Sequence, residues 1–192
     1  MATPTLARPA ASSTDRSAPD SWFTDYPAGG RRELACVPAR LDGDLFDEFV
    51  GGQTQLSAGA EEILLAALGK AVARTLGSGL LRVDVAAMDA APAQIVLVCD
   101  GHRGVPGAEA VAATRHALAA ATDSGVAGAD IAFRYGSGDA APAGEHALSL
   151  RLRDSAGALA VEWWYDAPRF DRSTIEELSD QFALALIDVT SG

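Results

Sequence analysis

The chain has 192 residues and a formal net charge of −11, which indicates one domain, or one domain with a tail. Its hydrophobic fraction of 48% is sufficient for a core. Phosphate binding needs clustered basic side chains, and the 15 lysines and arginines are scattered, so nucleic acid is not an expected partner.

Motifs for metals, cofactors and membranes are not found in the sequence. Cys36 and Cys99 lie far apart and form no C-x-x-C pattern, so no metal site is predicted. The glycines at 101, 104 and 107 are not followed by Lys-Ser/Thr, so no phosphate-binding cofactor is predicted. No signal-peptide core and no run of about 20 apolar residues is present. We therefore expect a cytoplasmic protein without a membrane span, with both thiols free and buried.

Two N-terminal segments differ in composition. Residues 1–20 are rich in Pro, Ser, Ala and Thr and predict a disordered tail or linker before a domain at 21–192. Ser21–Gly30 carries Trp22, Phe23 and Tyr26 and ends in turn residues. We favour an apolar plug that anchors the N-terminus on the domain, and the alternative is a contact surface for a partner.

The first half of the domain is predicted to form a strand, two helices and two further strands. A continuous apolar run at Gln94–Asp100 is typical of a central strand covered on both faces. Asp42 or Asp44 could cap the first helix, and Gly77 is a plausible stop for the second. The predicted elements are a strand at Glu33–Ala39, a helix at Leu41–Val50, a helix from after Ser57 to Gly77, and strands at Leu80–Val85 and Gln94–Asp100.

The second half ends in a hairpin and a helix. Ser173 and Glu176 fit an S-x-x-E capping box for the last helix. Trp163 and Trp164 are neighbours on a strand, so their rings face opposite sides, and Trp164 is either covered or an anchor for a partner. The predicted elements are a helix at Gly107–Ala121, strands at Asp130–Tyr135, Leu148–Arg153 and Leu159–Tyr165, a turn at Asp154–Gly157 and the final helix.

Three motifs in this order resemble a known family. They are the helix AEEILLAALGKAVARTLGSG, the segment IAFRYGS at Ile131–Ser137, and WWYDAPRFDRSTIEELSDQF at the closing strand and helix. Together they resemble the C-terminal half of nonribosomal peptide synthetase condensation and epimerization domains, from about Arg31 onward. The resemblance implies an α/β fold, a mixed β-sheet with flanking helices, like one half of a chloramphenicol acetyltransferase-like domain.

The resemblance does not extend to the family's catalytic residues. The family's His-His-x-x-x-Asp motif has no counterpart, because His102, His116 and His146 are isolated. The stretch that carries a glutamate in epimerization domains reads AAMDAAP here, with Asp89 nearby. His102 is the best single candidate for chemistry, because it follows a buried strand in a glycine-flanked loop and Asp100 could orient it.

Three functions are compatible with the sequence. The first is a non-catalytic condensation-domain-like protein that contacts a carrier-protein or synthetase assembly. Its candidate partner-binding residues are Trp22, Phe23, Tyr26 and Trp164. The second is an acyl or peptidyl transferase whose site is completed by another subunit, including a homo-oligomer. The third is a subunit of an unrelated complex that uses the same fold.

Overall fold

A mixed β-sheet with helices packed on one face makes up the fold. The computed structural model describes residues 22–27, 29–86, 93–100, 105–123, 128–136 and 146–191, and the tail predicted at 1–20 lies outside them. The described strands are β1 Leu34–Asp42, β2 Gly79–Ala86, β3 Ala93–Cys99, β4 Thr122–Asp123, β5 Ile131–Tyr135, β6 Leu148–Asp154 and β7 Ala158–Asp166. The described helices are α1 Asp44–Gln55, α2 Ala60–Thr75, α3 Gly107–Ala119 and α4 Arg172–Thr190.

The strand order within the described residues is β1-β7-β6-β5-β2-β3-β4. Strands β6, β5 and β2 run parallel, and every other neighbouring pair is antiparallel. The α/β fold with a mixed sheet and flanking helices, predicted from the resemblance, is therefore confirmed.

The core lies between the sheet and the helices. Side chains alternate along each strand, so one face of the sheet supplies almost all of the buried apolar groups. Trp163 of β7 is fully buried and packs edge-to-face on Phe182 of α4, with ring centroids 5.6 Å apart. Helices α2 and α4 contribute the matching apolar stripes, including Ile63, Leu64, Leu68, Ile175, Leu178 and Leu186.

The prediction that Gln94–Asp100 forms a central strand covered on both faces is wrong. Strand β3 lies next to the two-residue strand β4 at the edge of the sheet. Val96 and Val98 point away from the helices and are 48% and 70% exposed. An unbroken apolar run usually indicates two-sided burial, but here only its alternate residues face the helices.

The predicted first helix begins and ends later than expected. Its N-cap is Gly43, with φ at 55°, and neither Asp42 nor Asp44 caps it through the side chain. The helix continues beyond Val50 through two glycines. Gly52 lies directly against Thr190 of α4, where a Cβ atom would clash with the threonine side chain. This close helix–helix approach explains a glycine within the helix, where it is otherwise unfavourable.

The predicted capping box at Ser173 and Glu176 is also wrong. Helix α4 begins at Arg172, and its N-cap is Asp171. Glu176 instead accepts a hydrogen bond from the Arg172 guanidinium at 2.7 Å. The stop predicted at Gly77 is confirmed, because its φ is 108° and its N–H donates to the Val72 carbonyl at 3.3 Å.

The predicted turn between β6 and β7 is a two-residue hairpin loop. Ser155 and Ala158 exchange both main-chain hydrogen bonds, at 2.8 and 3.1 Å. The two residues between them have positive φ, 46° at Ala156 and 79° at Gly157. This is the signature of a type I′ turn, which matches the twist of the strands and favours Asn-Gly.

Ala156 is therefore a strained position whose replacement should stabilise the fold. A non-glycine residue with a left-handed backbone costs about 1–2 kcal/mol, and asparagine tolerates it better than alanine. We expect Ala156→Asn to raise the free energy of unfolding by about 0.5–1 kcal/mol in urea titrations. Gly157→Ala, the control in the same turn, should lower it by about 1 kcal/mol. Equal stabilities for the three proteins would contradict the assigned turn.

Candidate functional site

The aromatic segment near the N-terminus is divided between the core and the surface. Phe23 is only 1% exposed and packs edge-to-face on Phe170, with ring centroids 5.6 Å apart. Trp22 and Tyr26 are 38% and 48% exposed. Phe23 thus has the position expected of a plug, whereas Trp22 and Tyr26 can be reached by a partner.

Hydrogen bonds fix this segment to the start of α4. The Tyr26 hydroxyl donates to Asp171 Oδ2 at 2.9 Å, and the Tyr26 N–H donates to the Arg169 carbonyl at 3.2 Å. In return, the Asp171 N–H donates to Asp25 Oδ2 at 2.8 Å. The carboxylate of Asp25 therefore accepts from the N-cap amide of α4, beside the positive end of the helix.

The Tyr26–Asp171 contact should be visible in the ionisation of the phenol. The hydrogen bond to the Asp171 carboxylate, together with its charge, raises the pKa of Tyr26 above its ordinary value. Because the folded pKa is raised, this contact stabilises the protein at neutral pH and the stabilisation is lost as the pH rises through that pKa.

We expect Asp171→Asn to lower the Tyr26 pKa towards about 10, the value of a free tyrosine. An ultraviolet absorbance titration measures it, with the Tyr26→Phe curve subtracted to remove the other tyrosines. The matched control is Asp180→Asn, an exposed carboxylate farther along α4, which should leave the Tyr26 pKa unchanged. A Tyr26 pKa that is the same in the wild type and in Asp171→Asn would show that the contact is not formed in solution.

Trp164 lies on the face of the sheet that points away from the helices. Its indole N–H donates to Glu162 Oε2 at 3.1 Å, and it is half-buried. Arg153 binds the other oxygen of Glu162 at 2.7 Å, and Arg151 approaches the carboxylate at 3.7 Å. The ring is therefore held in one orientation by a shared carboxylate. Its role as a partner anchor remains a prediction.

A second polar cluster on the same face joins residues far apart in sequence. His146 Nε2 and Asp84 Oδ2 are 2.8 Å apart, and both side chains are largely buried. Gln94 donates to Asp84 Oδ1 at 3.2 Å, and Arg32 donates to the His146 carbonyl at 3.1 Å. His146 Nδ1 is buried and has no hydrogen-bond partner among the described residues. The cluster is a carboxylate-oriented imidazole, an arrangement used in acid–base chemistry.

Sequence reasoning did not find this pair. His146 is one of three isolated histidines in the sequence, and Asp84 is one acidic residue within the predicted strand Leu80–Val85. The two residues are 62 positions apart and meet because β2 and β6 lie on either side of β5. No local motif marks such a contact, since only the strand order brings the two together.

Asp100, the proposed partner of His102, lies at the amino-terminal end of the parallel strands. His102 itself is outside the described residues, and Asp100 is exposed at the end of β3. Because β3 runs antiparallel to β2, its last residue Cys99 pairs with Gly79 at the beginning of β2. Ligands of α/β sheets bind beyond the carboxyl ends of parallel strands, and Asp100 lies at the opposite end, so the role of His102 remains a prediction.

The two thiols are free and far from each other. Cys36 is on β1 and Cys99 is on β3, with four strands between them in the sheet order. Burial raises the pKa of Cys99 to about 12 and also raises that of the half-buried Cys36. Both are therefore protonated at neutral pH and are poor nucleophiles.

Metal and membrane sites were sought in the same residues. Across the described ranges, no group of three or more His, Cys, Asp or Glu side chains could hold a metal ion. Among the helices described, none is long and apolar enough to cross a membrane.

Comparison with known proteins identifies the fold. No protein-family model matches the sequence, and no curated protein matches it. Solved structures do match, and they include condensation, epimerization and X-domains. The chain therefore has the fold of one half of a condensation-type domain, as its sequence motifs predicted.

Three solved structures illustrate the likeness. The epimerization domain from the third module of tyrocidine synthetase B superposes with a TM-score of 0.71 at 14% identity, over 88% of this chain and 50% of that one. The X-domain in complex with OxyB, from teicoplanin biosynthesis, gives 0.68 at 18% identity over 88% and 48%. The condensation domain of the monacolin K polyketide synthase gives 0.65 at 14% identity over 88% and 50%. The chain thus spans about half the length of each.

Proposed function

We propose that this chain is a non-catalytic condensation-domain-like protein that acts through contacts with a carrier-protein or synthetase assembly in the cytoplasm. The observation that carries the proposal is its structural likeness to the X-domain solved in complex with OxyB. In that complex, a domain of this fold binds another protein.

The surface of the chain supports a binding role. Trp22 and Tyr26 are exposed, but the Trp22 ring packs against Gly79 and the Tyr26 hydroxyl is bound to Asp171. Little side-chain conformational entropy would therefore be lost when a partner binds them. Aromatic residues of this kind are enriched among the residues that dominate protein interfaces. Trp164 is similarly oriented by Glu162 on the opposite side of the sheet from the helices.

Co-purification tests the proposal directly. The full chain, tagged and cross-linked in the cells that express it natively, should recover a carrier protein or a synthetase. We expect Trp22→Ala or Trp164→Ala to reduce the recovered partner by at least about tenfold, because an anchoring tryptophan contributes about 2 kcal/mol or more. Leu184→Ala is the control, since Leu184 is 53% exposed on the outer side of α4.

The outcomes separate the alternatives. Partners with no link to peptide or polyketide assembly would favour the third function, a subunit of an unrelated complex. Recovery of no partner under cross-linking would contradict a binding role altogether.

A second candidate function is acyl or peptidyl transfer, with the site completed by another subunit. The Asp84–His146 pair favours it, because a carboxylate that accepts from Nε2–H leaves Nδ1 as a potential proton acceptor. Nδ1 is buried in the described chain, so it could act only if a neighbouring subunit rearranged its surroundings.

Turnover of acylated carrier protein or acyl-CoA distinguishes this candidate from the first. If the chain is a transferase, His146→Ala should lower turnover by about 10²-fold or more, the usual contribution of a positioned acid–base group. His116→Ala, an exposed helix position, is the control. Turnover that persists in His146→Ala would exclude a catalytic role for the Asp84–His146 pair. His102→Ala would then test whether His102 is the catalytic residue.

A further inference from the structure

An apolar groove lies between the edge strand β3 and the helices α2 and α3. Its volume is about 610 Å³, within the range of pockets that hold specific ligands. Its walls are mostly small or aliphatic, and they include Leu65, Ala66, Ile95, Leu97, Ala113 and Ala117.

One wall of the groove is a strand edge that has no neighbour among the described strands over most of its length. Strand β4 pairs only with Ala93 and Gln94 of β3. Ile95–Cys99 pairs with β2 on one side and with no described strand on the other. Every second residue of such a segment directs its N–H and C=O away from β2, and these groups require partners once water is excluded. Only another extended main chain matches that alternation of donors and acceptors.

The length of the β3 edge suits a single short strand. Five residues, Ile95–Cys99, extend over about 16 Å at 3.3 Å per residue. Helix α3 cannot move freely to close the gap, because Gly107 in its first turn lies against the Val189 main chain, where a Cβ atom would clash. The helix therefore stands at a fixed position beside the edge.

The same helix argues against a second copy of the chain as the occupant. Helix α3 lines the groove beside its own β3, so two copies paired at their β3 edges would bring two α3 helices into the space beside a single edge. A lone extended segment carries no such helix layer and does not meet this obstacle.

The occupant's side chains follow from the two faces of the groove. On one face, alternate side chains would contact the alanines of α3 and Leu65. On the other face, they would lie beside the exposed Val96 and Val98, where β-branched residues make good cross-strand pairs. Lys70 also lines the groove but is already paired with Asp188 at 2.9 Å, whereas Glu109 is exposed, so a basic flanking residue of the occupant complements Glu109.

We propose that this groove binds an extended segment of a partner protein, which joins the sheet as a strand beside Ile95–Cys99. The segment has apolar residues at alternate positions and a basic residue near Glu109. The inference rests on the proposed protein-binding function and specifies the surface that performs it.

Selection from a library of random peptides of about eight residues tests the groove, since that length covers the edge with one or two flanking residues. The wild-type chain is the target, and Ala113→Trp, which fills the groove, is used for counter-selection. Peptides with alternating apolar residues and a basic flank should be enriched. Their affinity, measured by fluorescence polarisation, should fall at least about tenfold for Ala113→Trp. Ala112→Trp, an exposed position on the same helix outside the groove, should bind as the wild type does.

A second measurement does not depend on any protein variant. N-methylation is applied in turn to the two alternate sets of residues of the selected peptide, and it should abolish binding for the set whose N–H groups face β3 and spare the other set. Peptides that tolerate N-methylation of both sets, that bind Ala113→Trp equally well, or that are not enriched at all would overturn the proposal. So would a wild-type dimer, seen by sedimentation, that Ala113→Trp dissociates, because a second copy would then be the occupant.

The failure of this inference is distinguishable from failure of the proposed function. If Ala113→Trp still recovers the native partner in full, the groove proposal fails and the binding function stands. If the selected peptides bind as expected but no carrier protein or synthetase is recovered, the groove stands and the assembly-line function fails.

Discussion

The contact between β7 and α4 is the packing on which the rest of the fold depends. Trp163 is the largest fully buried side chain, and its edge-to-face contact with Phe182 joins the sheet to the longest helix. Strand β7 is also hydrogen-bonded along its whole length to β1, and over seven residues to β6. Since the apolar side chains of the sheet face this helix layer, the opposite face is left to polar groups and to the few aliphatic residues of β2 and β3.

The charged side chains on that opposite face bind one another. Arg151 is only 6% exposed, and it shares Glu162 with Arg153 and with the indole of Trp164. Taking an arginine out of water is costly unless a carboxylate and further hydrogen bonds compensate for it. The Glu162 carboxylate thus binds both arginines and orients the Trp164 indole, so the ring is held in a fixed position at this face.

Elements whose signal is local were predictable from sequence. The alternation Leu148, Leu150, Leu152 predicted β6, and the turn residues at Asp154–Gly157 placed the hairpin within a residue or two. Positions that depend on neighbours in space were not predictable. The apolar run of β3 predicted a central strand. Its place at the edge depends on the neighbouring strand β4, which is only two residues long, and the residues of β3 carry no signal of that. Asp171 became the N-cap of α4, with Asp25 and Tyr26, 146 and 145 residues away, bound to it.

The Asp84–His146 pair has an architectural explanation that needs no catalysis. Gln94, which lines the β3 groove, donates to Asp84, and Asp84 holds the imidazole of His146. The carbonyl of His146 then accepts from Arg32, just before β1. This chain of hydrogen bonds joins the groove at one edge of the sheet to the segment that leads into the strand at the other edge. A buried polar network that is connected in this way fixes the relative positions of its members. Because one end of the network borders the groove, the network holds Gln94 in a fixed position at the wall of the proposed binding surface.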